Sequence, residues 1–368
     1  MAFVPIDKLK EGMMLDKDVF LYDHNNKKIP MLKSGQILTQ SYINKLIGFE
    51  VFGAYISSDG SEDTEKDELF SGPAPVKQEL KEEAVSVVKQ VYKTFNKSVS
   101  DIDEDNIKQT MDVSKELVQA LNDKEVKLSI GNLRLYDDYT YNHSLGVAML
   151  SIVIGISLNM KPSELQELGF CGLLHDIGKV SIPQGIIMKY EKLTPEEFEL
   201  VKQHPVQGAK FFSKQKLVSK RIYEGILTHH EKYDGTGYPN KIRGKGIPLF
   251  GRIIAVADVY DALTSVRPYR QSSSAREAIE YIMGSSGSAF DIDIVKAFLR
   301  SVAPYPIGSC VKLSNGQLGV IVAQNELQPL RPIIRLFSQP NVLLDLYGQH
   351  DLQNVTIENA GNISPDQL

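Results

Sequence analysis

Residues 143–179 read HSLGVAMLSIVIGISLNMKPSELQELGFCGLLHDIGK, and this stretch decides the fold class. Apolar residues recur every three to four positions on both sides of the NMKP segment, which predicts two consecutive helices. Each apolar stripe carries a histidine at one end. His143 lies four residues before Val147, and His175 continues the stripe that contains Leu168. We therefore predict a helical domain whose buried faces end in ligand-type side chains.

The same arrangement recurs further along the chain. The stripe that contains Ile226 leads to His229 and His230, and Asp258 lies four residues after Ile254. A single histidine on an apolar face is usually a core residue bonded to the backbone, and a single aspartate is usually a cap or a surface residue. Several such cases in one domain are improbable as accidents, because burying imidazoles and carboxylates without compensation is costly. Metal coordination offsets that cost.

These residues predict a site for two metal ions. Five of the seven histidines lie between residues 143 and 230. Asp176 has two carboxylate oxygens, so it can bridge two metals at an irregular helix end near Gly178. The ligands predicted for the first metal are His143, His175, Asp176 and Asp258. Those predicted for the second are Asp176, His204, His229 and His230. Mixed imidazole and carboxylate ligands favour iron, manganese, zinc, nickel or cobalt over magnesium or calcium.

Positive charge surrounds the predicted metal site. The glycine-rich segment 231–239, EKYDGTGYP, predicts a tight loop whose backbone can approach a ligand closely. From His229 to Arg270 there are seven Lys or Arg and four Asp or Glu residues, a local charge of +3 in a chain of net charge −5. Each of these cations alone is more often a solvated surface charge. Around a metal site they favour an anionic ligand, with Arg267, Arg270 and Lys179 as phosphate contacts.

In this order the motifs resemble those of the HD-GYP family of bacterial cyclic di-GMP phosphodiesterases. The resemblance covers nearly all of residues 126–300 and rests on HDIGK (175–179), HHE (229–231), DGTGYP (234–239), ADVYDALT (257–264) and RPYR (267–270). It implies a helical HD-type fold that holds two, in some members three, metal ions, often iron. The predicted ligands above match the core ligand positions of the family.

The resemblance also implies an activity. A metal-bridging hydroxide would hydrolyse cyclic di-GMP to pGpG, with GMP as a second product. The predicted catalytic residues are Asp176 and Lys179, and the predicted substrate-binding residues are Lys179, Tyr238, Arg267 and Arg270. We expect two divalent metals, iron first, with manganese, zinc, nickel or cobalt as alternatives. The resemblance implies that members with three metals have an acidic side chain just upstream of the first histidine. In this chain Tyr139 lies one turn before His143, and the nearby acids are Asp137 and Asp138, so we expect two metals and not three.

Two other classes of function stay open. One is a catalytically weak receptor that binds a cyclic dinucleotide and signals through the flanking regions. The other is a hydrolase of a different nucleotide, such as (p)ppGpp, a dNTP or cyclic GMP-AMP. The complete ligand set argues against the receptor, and the Gly-Tyr-Pro loop with its paired histidines argues against a linear nucleotide.

The predicted fold class is mainly α, with a helical HD-type catalytic domain flanked by a small β-rich N-terminal domain and a small C-terminal β module. The predicted segments are an α+β regulatory-type domain (1–57), an acidic and proline-containing linker (58–77), connector helices (78–125), the catalytic domain (126–300) and the β module (301–368). Within the last segment, Asn315-Gly316 lies between two apolar runs and predicts a hairpin with a type I′ turn.

The amino-acid composition restricts the class of protein and its expected location. Hydrophobic residues make up 42% and charged residues 24% of the 368 residues, as in ordinary globular proteins. The net charge of −5 argues against binding of DNA or RNA polymers. Two cysteines and no signal-peptide pattern favour a cytoplasmic protein, and no apolar run reaches the ~20 residues that membrane insertion requires. A homodimer through helices within 78–121 and a signalling partner domain are further hypotheses.

Overall fold

A computed structural model of the chain divides it into two compact units, residues 1–73 with 303–368, and residues 74–302. The residues that it describes are 2–5, 9–16, 18–22, 28–48, 53–56, 75–97, 104–122, 126–129, 139–187, 189, 191–213, 215, 217–265, 273–326 and 328–361. The two β-rich ends, predicted as separate segments, therefore lie in one compact unit.

The described residues of the first unit form small antiparallel sheets, one α-helix and a short 3-10 helix (His350–Leu352). Its N-terminal elements are β1 (Ala2–Pro5), β2 (Val19–Tyr22), β3 (Lys28–Leu32), α1 (Gln40–Gly48) and β4 (Gly53–Ile56). Its C-terminal strands are β5 (Cys310–Leu313), β6 (Leu318–Ala323), β7 (Ile333–Leu336), β8 (Leu343–Asp345) and β9 (Ile357–Gly361). Strand β1 pairs with β4 and β2 with β3, and the C-terminal strands form one sheet in the order β8-β7-β6-β5-β9.

Strand β5 explains why the two ends belong together. Successive side chains of a strand point to opposite faces. Cys310 is buried in a cluster with Leu15 and Leu38 of the N-terminal region. Its neighbour Val311 is buried in the core of the C-terminal sheet, against residues such as Ile334.

Among the described residues of the second unit, the regular elements are helices joined by turns and loops. Its helices are α2 (Gln78–Lys97), α3 (Glu104–Leu121), α4 (Tyr139–Ser157), α5 (Pro162–Leu174), α6 (Gln184–Ile187), α7 (Pro195–Val201), α8 (His204–Phe212), α9 (Lys220–Thr228), α10 (Leu249–Thr264), α11 (Ala275–Gly284) and α12 (Ile292–Ser301). A 3-10 helix covers Ile177–Ser181. Helix α4 is central, and its side chains from Leu145 to Ile152 are almost completely buried. A helix that is buried on all sides is apolar on all sides. The sequence pattern predicted a single apolar face for α4, and the structure shows that the helix is buried on its other faces as well.

Close backbone packing brings α4 and α5 together where the histidine-bearing ends meet. A Cβ atom placed on Gly172 of α5 would lie 2.7 Å from the Cα atom of Ala148 in α4. Glycine at this position therefore lets the two helices approach more closely than any other residue would allow.

The predicted fold class is confirmed. Helix α2 has the bounds expected from its periodicity, and the C-terminal hairpin forms between β5 and β6. The type I′ turn is wrong, because Gly316 has a φ of +81° while Asn315 is not among the residues with positive φ. Among the described residues, no helix is long and apolar enough to cross a membrane.

Candidate metal centre

The structure brings all seven predicted metal ligands together in the helical unit. They come from α4 (His143), the turn after α5 (His175 and Asp176), the first residue of α8 (His204), the turn after α9 (His229 and His230) and the middle of α10 (Asp258). Helix α5 ends at Leu174, and the 3-10 helix begins at Ile177. This irregular junction lets the neighbouring His175 and Asp176 side chains reach the same site.

The ligands form two groups. Asp176, His204, His229 and His230 form one, and His143, His175 and Asp258 form the other; within each group the donor atoms lie within 4.8 Å of one another. Two members, His230 and Asp258, are partly exposed, while the other five are buried. The centre is therefore closed on the protein side and open beside His230 and Asp258.

Asp176 lies between the two groups. Its Oδ1 atom is 3.2 Å from Nε2 of His204 and 3.9 Å from Nε2 of His229. Its Oδ2 atom is 3.4 Å from Nε2 of His175 and 3.9 Å from Nε2 of His143. Each carboxylate oxygen thus faces one group, which is the arrangement that a bridging carboxylate requires.

Backbone carbonyls fix the tautomers of three histidines. The Nδ1 atom lies 2.8 Å from the Gly172 oxygen in His175, 2.7 Å from the Val201 oxygen in His204 and 2.7 Å from the Ile226 oxygen in His229. Because a carbonyl oxygen only accepts, each Nδ1 carries the proton and each Nε2 presents a lone pair. This is the usual outer-shell pattern of metal-binding histidines.

The Nε2 lone pairs of these histidines point toward one another, and no proton lies between them to form a hydrogen bond. The Nε2 atoms of His204 and His229 are only 3.2 Å apart. Nε2 of His175 and Oδ1 of Asp176 are buried and have no hydrogen-bond partner within the described part of the chain. Buried polar atoms without partners are costly, and a divalent cation would satisfy these together. The donor set therefore fits divalent metals, with Asp176 shared between them.

The charges within the centre keep its carboxylates ionised. Burial would raise the pKa of Asp176, but the Lys179 ammonium holds it well below its usual value. Burial also opposes ionisation of Asp258, yet its hydrogen bond with His143 places its pKa far below the usual range. Both carboxylates are therefore available as anionic ligands at neutral pH.

Asp261, which the sequence pattern did not single out, contacts a candidate metal ligand. Its Oδ2 atom is 2.7 Å from Nδ1 of His143, so it orients the imidazole with Nε2 toward Asp258, 3.1 Å away. Its buried position depends on Gly146, where a Cβ atom would lie 2.2 Å from Oδ1 of Asp261. The available signal was its position one helical turn after Asp258, on the same face of α10.

We expect Asp261→Ala to weaken metal affinity by about 10–100-fold, because His143 would lose the partner that orients it. Competition with a chelator, using Mn²⁺, measures this change. Gly146→Ala should reproduce part of the effect by displacing the Asp261 carboxylate. Unchanged affinity in Asp261→Ala would show that His143 needs no such partner.

The predicted glycine-rich loop borders the open side of the centre. The buried Glu231 carboxylate holds the loop, with Oε1 2.7 Å from the Asn240 nitrogen and Oε2 3.1 Å from the Ile242 nitrogen. The Tyr238 ring lies on the His230 ring, with centroids 4.8 Å apart. Burial raises the pKa of the Tyr238 hydroxyl above its usual value, so it stays a neutral hydrogen-bond donor.

The other predicted contacts divide into two sets. Lys179 reaches the centre, where its Nζ atom is 2.5 Å from Oδ2 of Asp176. Arg267 and Arg270 lie outside the described residues, as do Asp137 and Asp138, so the structure does not locate the predicted arginine contacts or the acids near a third metal.

The HD domain family model matches residues 107–294, half of the chain, and the chain belongs to this family. A cyclic di-GMP phosphodiesterase of Pseudomonas aeruginosa is 41% identical over 210 residues, covering 57% of this chain and 50% of the relative. One from Thermotoga maritima is 40% identical over 165 residues, covering 45% of each chain. These relatives confirm the resemblance to the HD-GYP family.

A further relative has a different substrate name. The 3'3'-cGAMP-specific phosphodiesterase 2 of Vibrio cholerae is 38% identical over 128 residues, covering 34% of this chain and 24% of the relative. The chain thus spans half or less of the length of these three relatives.

Proposed function

We propose that the chain is a metal-dependent phosphodiesterase that hydrolyses cyclic di-GMP to pGpG, with GMP as a possible second product. The observation that carries this proposal is the position of Asp176, whose two oxygens face separate groups of histidines. When bound, two divalent cations would supply an activated water at neutral pH and neutralise charge on the phosphodiester.

The protein residues then have separate tasks. His143, His175, Asp176 and Asp258 would hold one cation, and Asp176, His204, His229 and His230 the other. Lys179 keeps Asp176 ionised and places an ammonium beside the centre, where it would contact a phosphate oxygen. Tyr238 would donate a hydrogen bond from the loop, and Arg267 and Arg270 would bind the phosphates. No separate general base on the protein is needed.

The direct test is chromatography of the reaction of cyclic di-GMP with anaerobically purified protein supplied with Fe²⁺ or Mn²⁺. We expect linear pGpG to form only when metal is present. Stable cyclic di-GMP under both metals, together with tight binding, would indicate the receptor function instead.

A second substrate is favoured by one specific finding, the similarity to the Vibrio cholerae 3'3'-cGAMP-specific phosphodiesterase. Cyclic GMP-AMP shares the phosphodiester ring, and only one base differs. Parallel measurements of kcat/KM on both cyclic dinucleotides decide between them.

Metal affinity should rise with pH. Burial opposes protonation of His143, but its hydrogen bonds with Asp258 and Asp261 raise its pKa to about 10. His143 is therefore protonated at pH 7 in the metal-free protein and must lose that proton before Nε2 binds a cation. Burial lowers the pKa of His230 to about 3, so no proton competes there.

For one linked proton, Mn²⁺ affinity should increase by up to about tenfold per pH unit between pH 6.5 and 8.5. Anaerobic chelator competition at several pH values measures the slope. A flat profile would contradict the protonated state assigned to His143.

We further propose iron as the native metal, a cytoplasmic location, and a homodimer through helices within 78–121. The segments 1–57 and 301–368 are proposed to receive a signal or contact a partner domain. Elemental analysis after anaerobic purification tests the first of these proposals, and sedimentation tests the dimer.

A further inference from the structure

Helix α7 presents an exposed aromatic side chain next to the candidate site. Phe198 is 46% exposed, although it lies six residues before the metal ligand His204. Its ring is 6.3 Å from the Tyr238 ring, centroid to centroid, at an interplanar angle of 82°. Since Tyr238 lies on His230, a continuous series of rings leads from the metal centre to Phe198.

Helix α7 is fixed relative to the metal centre. Its last residue, Val201, accepts the Nδ1 hydrogen bond of His204. At the other end, both carboxylate oxygens of Glu197 lie 2.7 Å from Nζ of Lys189, and Glu197 also completes a capping box with Thr194. Phe198 is therefore exposed on a helix anchored at both ends.

An exposed phenylalanine alone is common on protein surfaces. Phe198 differs because of its position, at the end of the ring series that begins at a predicted metal ligand. Lys202 lies nearby, with Nζ 5.4 Å from the Phe198 centroid, and forms an ion pair with Glu199 of the same helix. An exposed aromatic face beside a candidate phosphodiester site suits a nucleotide base, which stacks on such rings.

We propose that Phe198 forms a stacking surface for one purine base of the cyclic dinucleotide and thereby contributes to substrate specificity. This inference rests on the proposed function, because it assumes that the phosphodiester lies at the metal centre. Phe198 would act in substrate binding and not in the chemical step.

The test compares Phe198→Ala, Phe198→Tyr and Leu200→Ala in Mn²⁺-loaded full-length protein. Leu200 is the matched control, since it is 47% exposed on the same helix and lies two residues away, on a different face. We expect Phe198→Ala to raise KM for cyclic di-GMP about tenfold, with kcat changed less than about twofold. Phe198→Tyr and Leu200→Ala should keep KM near the wild-type value.

An unchanged KM in Phe198→Ala would overturn the inference while leaving the proposed function intact. So would an equal rise in Leu200→Ala, since the effect would then belong to the helix and not to the ring. If the wild-type protein binds cyclic di-GMP without hydrolysis, the same comparison is made on Kd, and an unchanged Kd overturns the inference. Absence of both binding and hydrolysis would overturn both proposals.

Discussion

Asp176→Ala is expected to abolish metal binding and to lower kcat for cyclic di-GMP by about 10³-fold or more. The substitution removes a carboxylate whose oxygens face both histidine groups, at 3.2 Å from His204 and 3.4 Å from His175. It also leaves the Lys179 ammonium without its nearest carboxylate. Metal content by elemental analysis and steady-state kinetics on the same preparation measure the two effects.

Asp293→Ala is the control for loss of a carboxylate. The Asp293 side chain is 63% exposed, and its Oδ2 atom lies 3.6 Å from Nζ of the exposed Lys245. Exposed ion pairs of this kind contribute little to the stability of the folded protein. We therefore expect the metal content and kcat of Asp293→Ala to stay at the wild-type level. An Asp176→Ala protein that keeps its helical circular dichroism, two metals and full activity would contradict the bridging role.

Gly178→Ala is expected to lower the free energy of unfolding by about 3 kcal/mol and kcat by about 10²-fold. A Cβ atom on Gly178 would lie 2.0 Å from the backbone oxygen of His204 and 2.6 Å from the nitrogen of Gly208. Neither backbone atom can move without shifting α8. Such a shift would separate His204 from Asp176, so stability and activity should fall together.

Gly185→Ala provides the matched comparison. Gly185 lies in α6, and a Cβ atom there would meet no atom within 4 Å among the described residues. Alanine favours helix over glycine, so this substitution should be neutral or slightly stabilising. Thermal denaturation and kinetics distinguish the two variants. Equal behaviour of Gly178→Ala and Gly185→Ala would show that the close approach at Gly178 carries no constraint.

The candidate metal ligands could be identified from the sequence because their chemistry conflicts with their positions. Histidines on the apolar faces of several helices need a reason to be buried, and the periodicity alone reveals them. The structure brings all seven side chains together in two groups, with Asp176 in the group of His204, His229 and His230 and its Oδ2 atom facing His175.

Other features carry no comparable signal. Asp261 has the same sequence appearance as a surface aspartate, and only the folded distance to His143 separates the two cases. Phe198 has no distinguishing feature in the sequence, and only the folded structure shows that its ring contacts Tyr238. The burial of Cys310 among N-terminal residues depends on contacts between distant parts of the chain, which local patterns do not encode.

The most direct test of the central claim is crystallography of the Mn²⁺-loaded protein with anomalous scattering. The account predicts two anomalous peaks that share Asp176, one beside His143, His175 and Asp258, the other beside His204, His229 and His230. A protein that turns over cyclic di-GMP while showing no peak, or one peak remote from Asp176, would contradict it.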